Sequence, residues 1–191
     1  MISNNDIPQL HSPLLTEFLT EIKQASFEHS VLDLACGNGR NGLYLIGSGV
    51  PVTFADINKM SLEKILEANA NSLPVEKSEL AELWQVDFED ENTSPLYGKC
   101  FSAIIIYNYL HRPLFEQIKT SIQSGGLVIY ETFTTENIQF GRPKNPNFLL
   151  KHNELLQLFS GWEVLHYFEG VVSNVDGQGS KAIAQIVARK P

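Results

Sequence analysis

The sequence predicts an α/β domain: a doubly wound, mostly parallel seven-stranded sheet of Rossmann-like type, with its last strand antiparallel to the rest. Three observations carry this. Short apolar runs of strand length alternate with stretches of helical period, the order that builds a parallel sheet covered by helices on both faces. The segment FSAIIIY, Phe101 to Tyr107, is an unbroken apolar run, as expected of a strand buried on both sides. The last two strand patterns follow one another without a helix between them, so the final strand runs against its neighbours.

The elements follow in order. Leu14 to Ala25 is an amphipathic helix with Leu14, Leu15, Phe18, Leu19 and Ile22 on one side. Val31 to Ala35 is a short buried strand, followed by a Gly-rich turn and a helix from about Arg40 that stops at Gly47 and Gly49. Val52 to Ala55 is the second strand. Met60 to Ala70 is a helix with Leu62, Ile65 and Leu66 turned inward, and Leu83 to Val86 is the third strand. After Phe101 to Tyr107, Pro113 suits the first turn of the next helix. Gly126 to Phe133 is another strand, and Asn153 is placed to cap a helix running to Phe159. Trp162 to Phe168 and Ala182 to Ala188 close the sheet, and the intervening loop, Gly170 to Ser180, is short enough for an antiparallel pair.

A chain of 191 residues suits one domain, 1–191, and no repeat or linker divides it. It carries 22 acidic and 14 basic side chains, a formal charge of −8. Nucleic-acid affinity comes from Lys and Arg on phosphates, so this balance argues against that partner. Met1 to Leu10 lacks a basic, then apolar, leader pattern, and no run reaches the ~18 apolar residues of a membrane span. Cys36 and Cys100 have no metal-type spacing, and His11, His29, His152 and His166 are scattered. The expectation is a cytoplasmic protein with reduced thiols, no metal and no membrane partner. Nothing in the pattern fixes an oligomeric state.

The segment VLDLACGNGR, Val31 to Arg40, carries the central motif. A strand runs into a turn whose Gly37 and Gly39 let the backbone approach a ligand, and the following helix offers free N–H donors. Gly37, Gly39 and Gly42 also spell the dinucleotide pattern G-x-G-x-x-G. Asp33 decides between cofactors. A dinucleotide brings a pyrophosphate to this turn, and a carboxylate repels it. S-adenosylmethionine brings an ammonium and a sulfonium, which a carboxylate attracts. The plainer role for Asp33 is to hydrogen-bond the turn. Asp56, ending VTFAD, suits the ribose hydroxyls or a helix cap. In WQVDFED, Asp87 suits the adenine amino group and Phe88 the adenine ring. Cys36, a small residue inside the turn, reads as packing rather than as a nucleophile, and no G-x-S-x-G elbow is present.

Taken together, DxAxGxG, Asp56, Asp87-Phe88, YNYLHRP and SGGLVIYETF resemble the class I S-adenosylmethionine-dependent methyltransferase family, from about Val31 to Phe133. The chain is most similar to the small single-domain tellurite-resistance branch, which GRPKNPNFLL and NELLQLF also resemble. The family's first glycine is replaced by Ala35. The resemblance implies S-adenosylmethionine as cofactor and S-adenosylhomocysteine as product. It places Asp33 near the methionine ammonium and Ala35, Cys36, Gly37 and Gly39 around the amino-acid part. Asp56 and Ile57 fall at the ribose, Asp87 and Phe88 at the adenine, and Asn108 near the sulfur.

The acceptor end is less legible. Asn108-Tyr109-Leu110-His111 lacks the Asn-Pro-Pro-aromatic tetrapeptide of family members that methylate exocyclic amines or amides, so adenine in nucleic acid and glutamine amides are not expected substrates. His111 suits a general base and Arg112 an anion clamp; otherwise both simply begin a helix. Thr134 to Leu150 has no period, and so long a loop suggests a lid in which Arg142 helps to hold a polar or anionic substrate, with Tyr109 beside it. The expected acceptor is a small molecule, with a thiolate, metalloid oxyanion, carboxylate or amine all compatible. Two rival readings are a nicotinamide (NAD)-dependent oxidoreductase and a cofactor-binding protein without catalysis.

Overall fold

The computed structural model describes residues 11–26, 28–72, 77, 79–173 and 179–191. Seven strands form one sheet: β1 (Val31–Leu34), β2 (Val52–Asp56), β3 (Ala81–Gln85), β4 (Phe101–Tyr107), β5 (Ile122–Phe133), β6 (Glu163–Ser173) and β7 (Ser180–Arg189). The helices are α1 (Pro13–Glu17), α2 (Leu19–Ala25), α3 (Arg40–Gly47), α4 (Lys59–Ser72), α5 (Phe115–Ser121) and α6 (Glu154–Leu158). Strand order is β3-β2-β1-β4-β5-β7-β6. The first five strands are parallel, and β7 is inserted antiparallel between β5 and β6. The expected fold class is therefore the observed one. The order reverses between β1 and β4, which opens a crevice at their carboxyl ends, the usual ligand position in such sheets.

Alternation along each strand divides the interior into two layers. Leu32, Leu34, Ile104, Ile106, Val128 and Tyr130 face α5 and α6, where Phe115, Ile118, Leu155 and Phe159 cover them. Val31, Phe54, Ile105, Ile129 and Val187 face α1 to α4, covered by Leu15, Ile22, Leu45, Leu62 and Ile65. Ile104, Ile105 and Ile106 are each 0% exposed, so the triple-Ile run fills both layers at once. Each such side chain contributes about 1.5–3 kcal/mol by leaving water.

Several boundaries differ from the sequence expectation. The opening helix is two helices broken at Phe18. The third strand spans Ala81–Gln85, so Asp87 stands two residues beyond it rather than ending it. Leu66 is 47% exposed, on the outer face of α4. β5 begins at Ile122, four residues before Gly126, and its register with β4 shifts there. A Cβ on Gly126 would stand 2.6 Å from the Ser102 carbonyl oxygen, so only glycine lets the two strands meet. Asn153 occupies the N-cap position of α6 but makes no capping hydrogen bond, because its own backbone is left-handed (φ 58°). Glu154, the first residue of α6, accepts the N–H of Lys151, which precedes the helix, at 2.7 Å. The final hairpin is longer than expected: β6 reaches Ser173 and β7 starts at Ser180. Residues 174–178 of its loop, and Met1 to Leu10, lie outside the described residues. Among the described residues no helix is long and apolar enough to cross a membrane.

Candidate functional site

The turn after β1 is built around backbone conformations that L side chains avoid. Ala35, Gly37 and Gly39 have φ of 53°, 56° and 71°. At Ala35 the left-handed conformation costs about 1–2 kcal/mol, whereas glycine adopts it freely, which explains why the resembling family places glycine there. A Cβ on Gly37 would meet nothing within 4 Å, so this backbone borders open space. Gly39 is the opposite: its Cβ would stand 2.6 Å from Ile65 Cδ1. Thus Gly37 leaves room for a ligand, whereas Gly39 lets α4 approach.

Beneath the turn lies a cavity of about 280 Å³. Asp33, Ala35, Cys36, Gly37 and Asn108 line it, five of the residues singled out from sequence. Tyr107, Asn38, Arg40 and Asn41 complete the wall. These four are not among the sequence-derived candidates, although Arg40 directly follows the Gly-rich turn and Tyr107 directly precedes Asn108, two positions that mark the same crevice.

Asp33 is 3% exposed, and its Oδ2 accepts the Gly42 N–H at 3.0 Å. Burial pushes its carboxyl up to about 8, against the opposing effects of that N–H and of the nearby Arg40. Asp56 holds the turn in place: Oδ2 accepts the Gly37 N–H and Oδ1 the Asn58 N–H, both at 2.8 Å. Burial likewise raises the Cys36 thiol far above its ordinary range, with Asp33 and Asp56 adding to the effect, so it stays neutral and packs. Asn108 is exposed and left-handed (φ 56°), its N–H donating to the Glu131 carbonyl at 2.9 Å.

The other candidates fall elsewhere. Ile57 is 60% exposed, directly after the end of β2, and is not on the cavity wall. Asp87 is exposed and accepts the Glu89 N–H at 2.8 Å. Phe88 is 6% exposed and edge-on to Trp84, so its ring belongs to the interior rather than to an adenine surface. Tyr109 is half-buried against the layer that faces α5 and α6 and is not on the cavity wall. His111 stands at the start of a short 3-10 turn, Arg112–Leu114, and is not on the cavity wall.

Arg112 corrects the expectation of an anion clamp. Its Nε and Nη2 donate to both Glu154 oxygens at 2.6 and 2.8 Å, and Nη1 and Nη2 also donate to the Asn147 and Leu149 carbonyls, each at 2.9 Å. A guanidinium so engaged is structural, and it fixes the end of the 134–150 segment to α6. Burial pushes Glu154 up, but hydrogen bonds from Arg112 and the Lys151 N–H outweigh it and hold the carboxyl below its ordinary value. An Arg112→Ala variant is expected to lose about 2–3 kcal/mol of stability, read by denaturant unfolding, with cofactor affinity unchanged.

The 134–150 segment is itself anchored. Thr134 and Leu150 form a parallel bridge, and Asn137, 2% exposed, accepts the Ala182 N–H and donates to the Arg142 carbonyl. The Arg142 side chain is exposed and does not line the cavity.

These features agree with what the chain is similar to. The "Probable S-adenosyl-L-methionine-dependent methyltransferase TehB" of Haemophilus influenzae is 29% identical over 171 residues, 84% of this chain and 57% of that protein. The chain thus spans little more than half the length of that relative. The crystal structure of TehB from Haemophilus influenzae superposes with a TM-score of 0.68 at 23% identity, over 90% of this chain and 62% of that one. The glycopeptide N-methyltransferase MtfA complexed with S-adenosyl-L-methionine shares the fold at a TM-score of 0.64 and 17% identity, over 96% and 88% of the two chains. The sequence profile of the tellurite resistance protein TehB matches residues 9–187, and with nearly the whole sequence covered, the chain belongs to the TehB family.

Proposed function

We propose that this protein is an S-adenosylmethionine-dependent methyltransferase that acts on a small molecule by in-line methyl transfer. One observation carries the reading: a buried carboxylate, Asp33, on the wall of a cavity whose Gly37 face is open backbone. A carboxyl so far out of water keeps its proton unless a cation stands beside it. The ammonium of an amino acid supplies one, and a pyrophosphate does not. The residues present therefore fit the sulfonium cofactor and disfavour a dinucleotide, which sets aside the oxidoreductase reading.

When bound, the cofactor supplies an activated methyl carbon on a cationic sulfur. The chain's part is to bind, orient and exclude water. Asp33 would hold the ammonium, and the turn from Ala35 to Gly39 would shape the amino-acid pocket. Asp56 stiffens that turn through the Gly37 N–H and keeps lone pairs on both oxygens for ribose hydroxyls. Asn108, on the cavity wall with its N–H donated to the Glu131 carbonyl, would lie toward the sulfur end. Cys36 and Cys100 are free thiols, which supports a reducing compartment.

Calorimetric titration with S-adenosylmethionine, S-adenosylhomocysteine and NAD tests the reading. Micromolar binding of both sulfur nucleosides without NAD is the expected result. Binding of NAD alone overturns it. Tight cofactor binding with no turnover on any acceptor converts the protein to a non-catalytic binder.

A further inference from the structure

The cavity wall contains a polar group that Asp33 and the Gly-rich turn leave without a role. Tyr107 lines the cavity, and its buried hydroxyl has no hydrogen-bond partner among the described residues. The nearby Ser12 hydroxyl is in the same condition, and the two approach without making a bond of normal geometry. Ser12 is held by its backbone: its N–H donates to Asn41 Oδ1 at 2.9 Å, and Asn41 also lines the cavity. His11, one residue earlier, stacks on Tyr44 of α3 with ring centres 3.6 Å apart. The residues that enter α1 therefore rest on α3 on one side and reach Tyr107 of β4 on the other.

Two hydroxyls that face each other can share only one of their two protons, so the other needs a further acceptor. Buried hydroxyls almost always find one, and an unmet one beside a cavity marks a ligand's position. Two carboxylates stand near, and neither accepts this proton. Glu131, beside Tyr107 in the β4–β5 register, accepts instead from Lys181 Nζ at 3.1 Å and from Gln185 Nε2 at 2.7 Å. Asp33 accepts the Gly42 N–H. Burial, reinforced by both carboxylates, lifts the Tyr107 phenol above its ordinary range, so it remains a neutral donor. Asp33 pairs in register with Ile105, two residues before Tyr107, so the Asp33 and Tyr107 side chains leave the same face of the sheet. The charge of Arg40, on the same cavity wall, bears on both of them. An acid, a hydroxyl donor and a guanidinium around one cavity match the two poles of an α-amino acid.

We propose that the Tyr107 hydroxyl is the subsite for the carboxylate of the cofactor's amino-acid end, with Ser12 as the positioning residue behind it. The proposal rests on the methyltransferase reading above. Ser12 donates its proton to the Tyr107 oxygen, and Tyr107 donates its own to a carboxylate oxygen. Both protons then have acceptors, and the bond that faces the ligand is the stronger, charge-assisted one. Asp33 takes the ammonium, and the positive charge of Arg40 favours the carboxylate beside Tyr107. The site thus recognises the amino-acid head by both of its charges rather than by the ammonium alone.

The test is calorimetry on the whole chain with two probes: S-adenosylhomocysteine and its decarboxylated analogue, the adenosyl aminopropyl thioether, which keeps the amine and lacks the carboxylate. The native chain is expected to prefer S-adenosylhomocysteine by about 100-fold. In Tyr107→Phe that preference should shrink about tenfold, through weaker binding of S-adenosylhomocysteine, with the analogue's affinity unchanged. Ser12→Ala should shift the preference in the same direction by a smaller factor. The analogue's unchanged affinity reports that the variant site is still folded, which a merely structural role for Tyr107 does not predict. Equal weakening of both probes in Tyr107→Phe overturns the proposal, as does a preference indifferent to that substitution, which leaves only water for the two hydroxyls. Equal affinity of the native chain for the two probes overturns it as well. Failure of S-adenosylhomocysteine itself to bind is a separate outcome; it removes the methyltransferase reading, and this proposal falls with it.

Discussion

Asp33→Asn is expected to weaken S-adenosylhomocysteine binding about 100-fold while leaving the fold intact. Asparagine keeps the shape and can still accept the Gly42 N–H through its carbonyl oxygen. What it cannot do is neutralise an ammonium in a site where the carboxylate is 3% exposed. Removing one partner of a buried ion pair costs about 3 kcal/mol or more, which is the expected loss of affinity.

The same substitution has an opposite signature on the free protein. An ordinary aspartate has a pKa of 3.8, and burial lifts Asp33 to about 8. Between those values the folded protein holds a proton that the unfolded chain has already released. The stability linked to Asp33 is therefore full below the unfolded value and is lost as pH rises through the folded one, by about 1.4 kcal/mol per unit inside that window. The amide of the Asp33→Asn variant does not titrate. Melting curves from pH 5 to pH 8.5 should show this variant gaining steadily on the native chain. Cofactor binding near neutral pH should release about one proton in the native chain, because the ammonium favours the carboxylate. Calorimetry in two buffers of different ionisation enthalpy reads that proton directly. A pH-independent difference in melting, together with binding that releases no proton, would show that Asp33 is already charged and only ties the turn.

Gly42→Ala is expected to be the most damaging small substitution near the site. A Cβ there would stand 2.8 Å from Phe54 Cζ and 2.9 Å from Asp33 Oδ2. Phe54 is 0% exposed and cannot retreat. Overpacking of this kind costs about 1–3 kcal/mol, and displacing Asp33 adds to it. The melting temperature should fall by about 6–12 °C for a 3 kcal/mol loss, and cofactor binding should fall as well. Gly37→Ala should behave differently. Its Cβ meets open space, so the cost to stability is only the strain at φ 56°, while the methyl group enters the ligand's side of the turn. Equal effects of the two substitutions on stability would contradict the division of labour between these glycines.

That division is only half legible in the sequence. The pattern G-x-G-x-x-G marks Gly37, Gly39 and Gly42 alike, because spacing along a chain does not say what each position faces. Only the packed structure separates Gly37, open to the cavity, from Gly39 against Ile65 and Gly42 against Phe54 and Asp33. The strands are legible because their signal is local. An unbroken run such as Phe101 to Tyr107 has one way to bury itself, and β4 spans those same residues. Asp33 is legible for the same reason: a charge inside an apolar strand, four residues before a glycine turn, is conspicuous on its own. Arg112 and Phe88 are not. Arg112 meets Glu154, 42 residues away, and a guanidinium beside a helix start looks the same whether it binds substrate or a distant carboxylate. Phe88 follows an exposed aspartate, but contact with Trp84 and burial draw its ring inward. Contacts between distant strands are the least legible of all: Tyr107, Glu131 and Gln185 meet only because β4, β5 and β7 lie side by side. Periodicity and isolated charges fix the strands, the Gly-rich turn and the carboxylate beneath it. Which polar side chains share a wall follows from strand order, which no local pattern encodes.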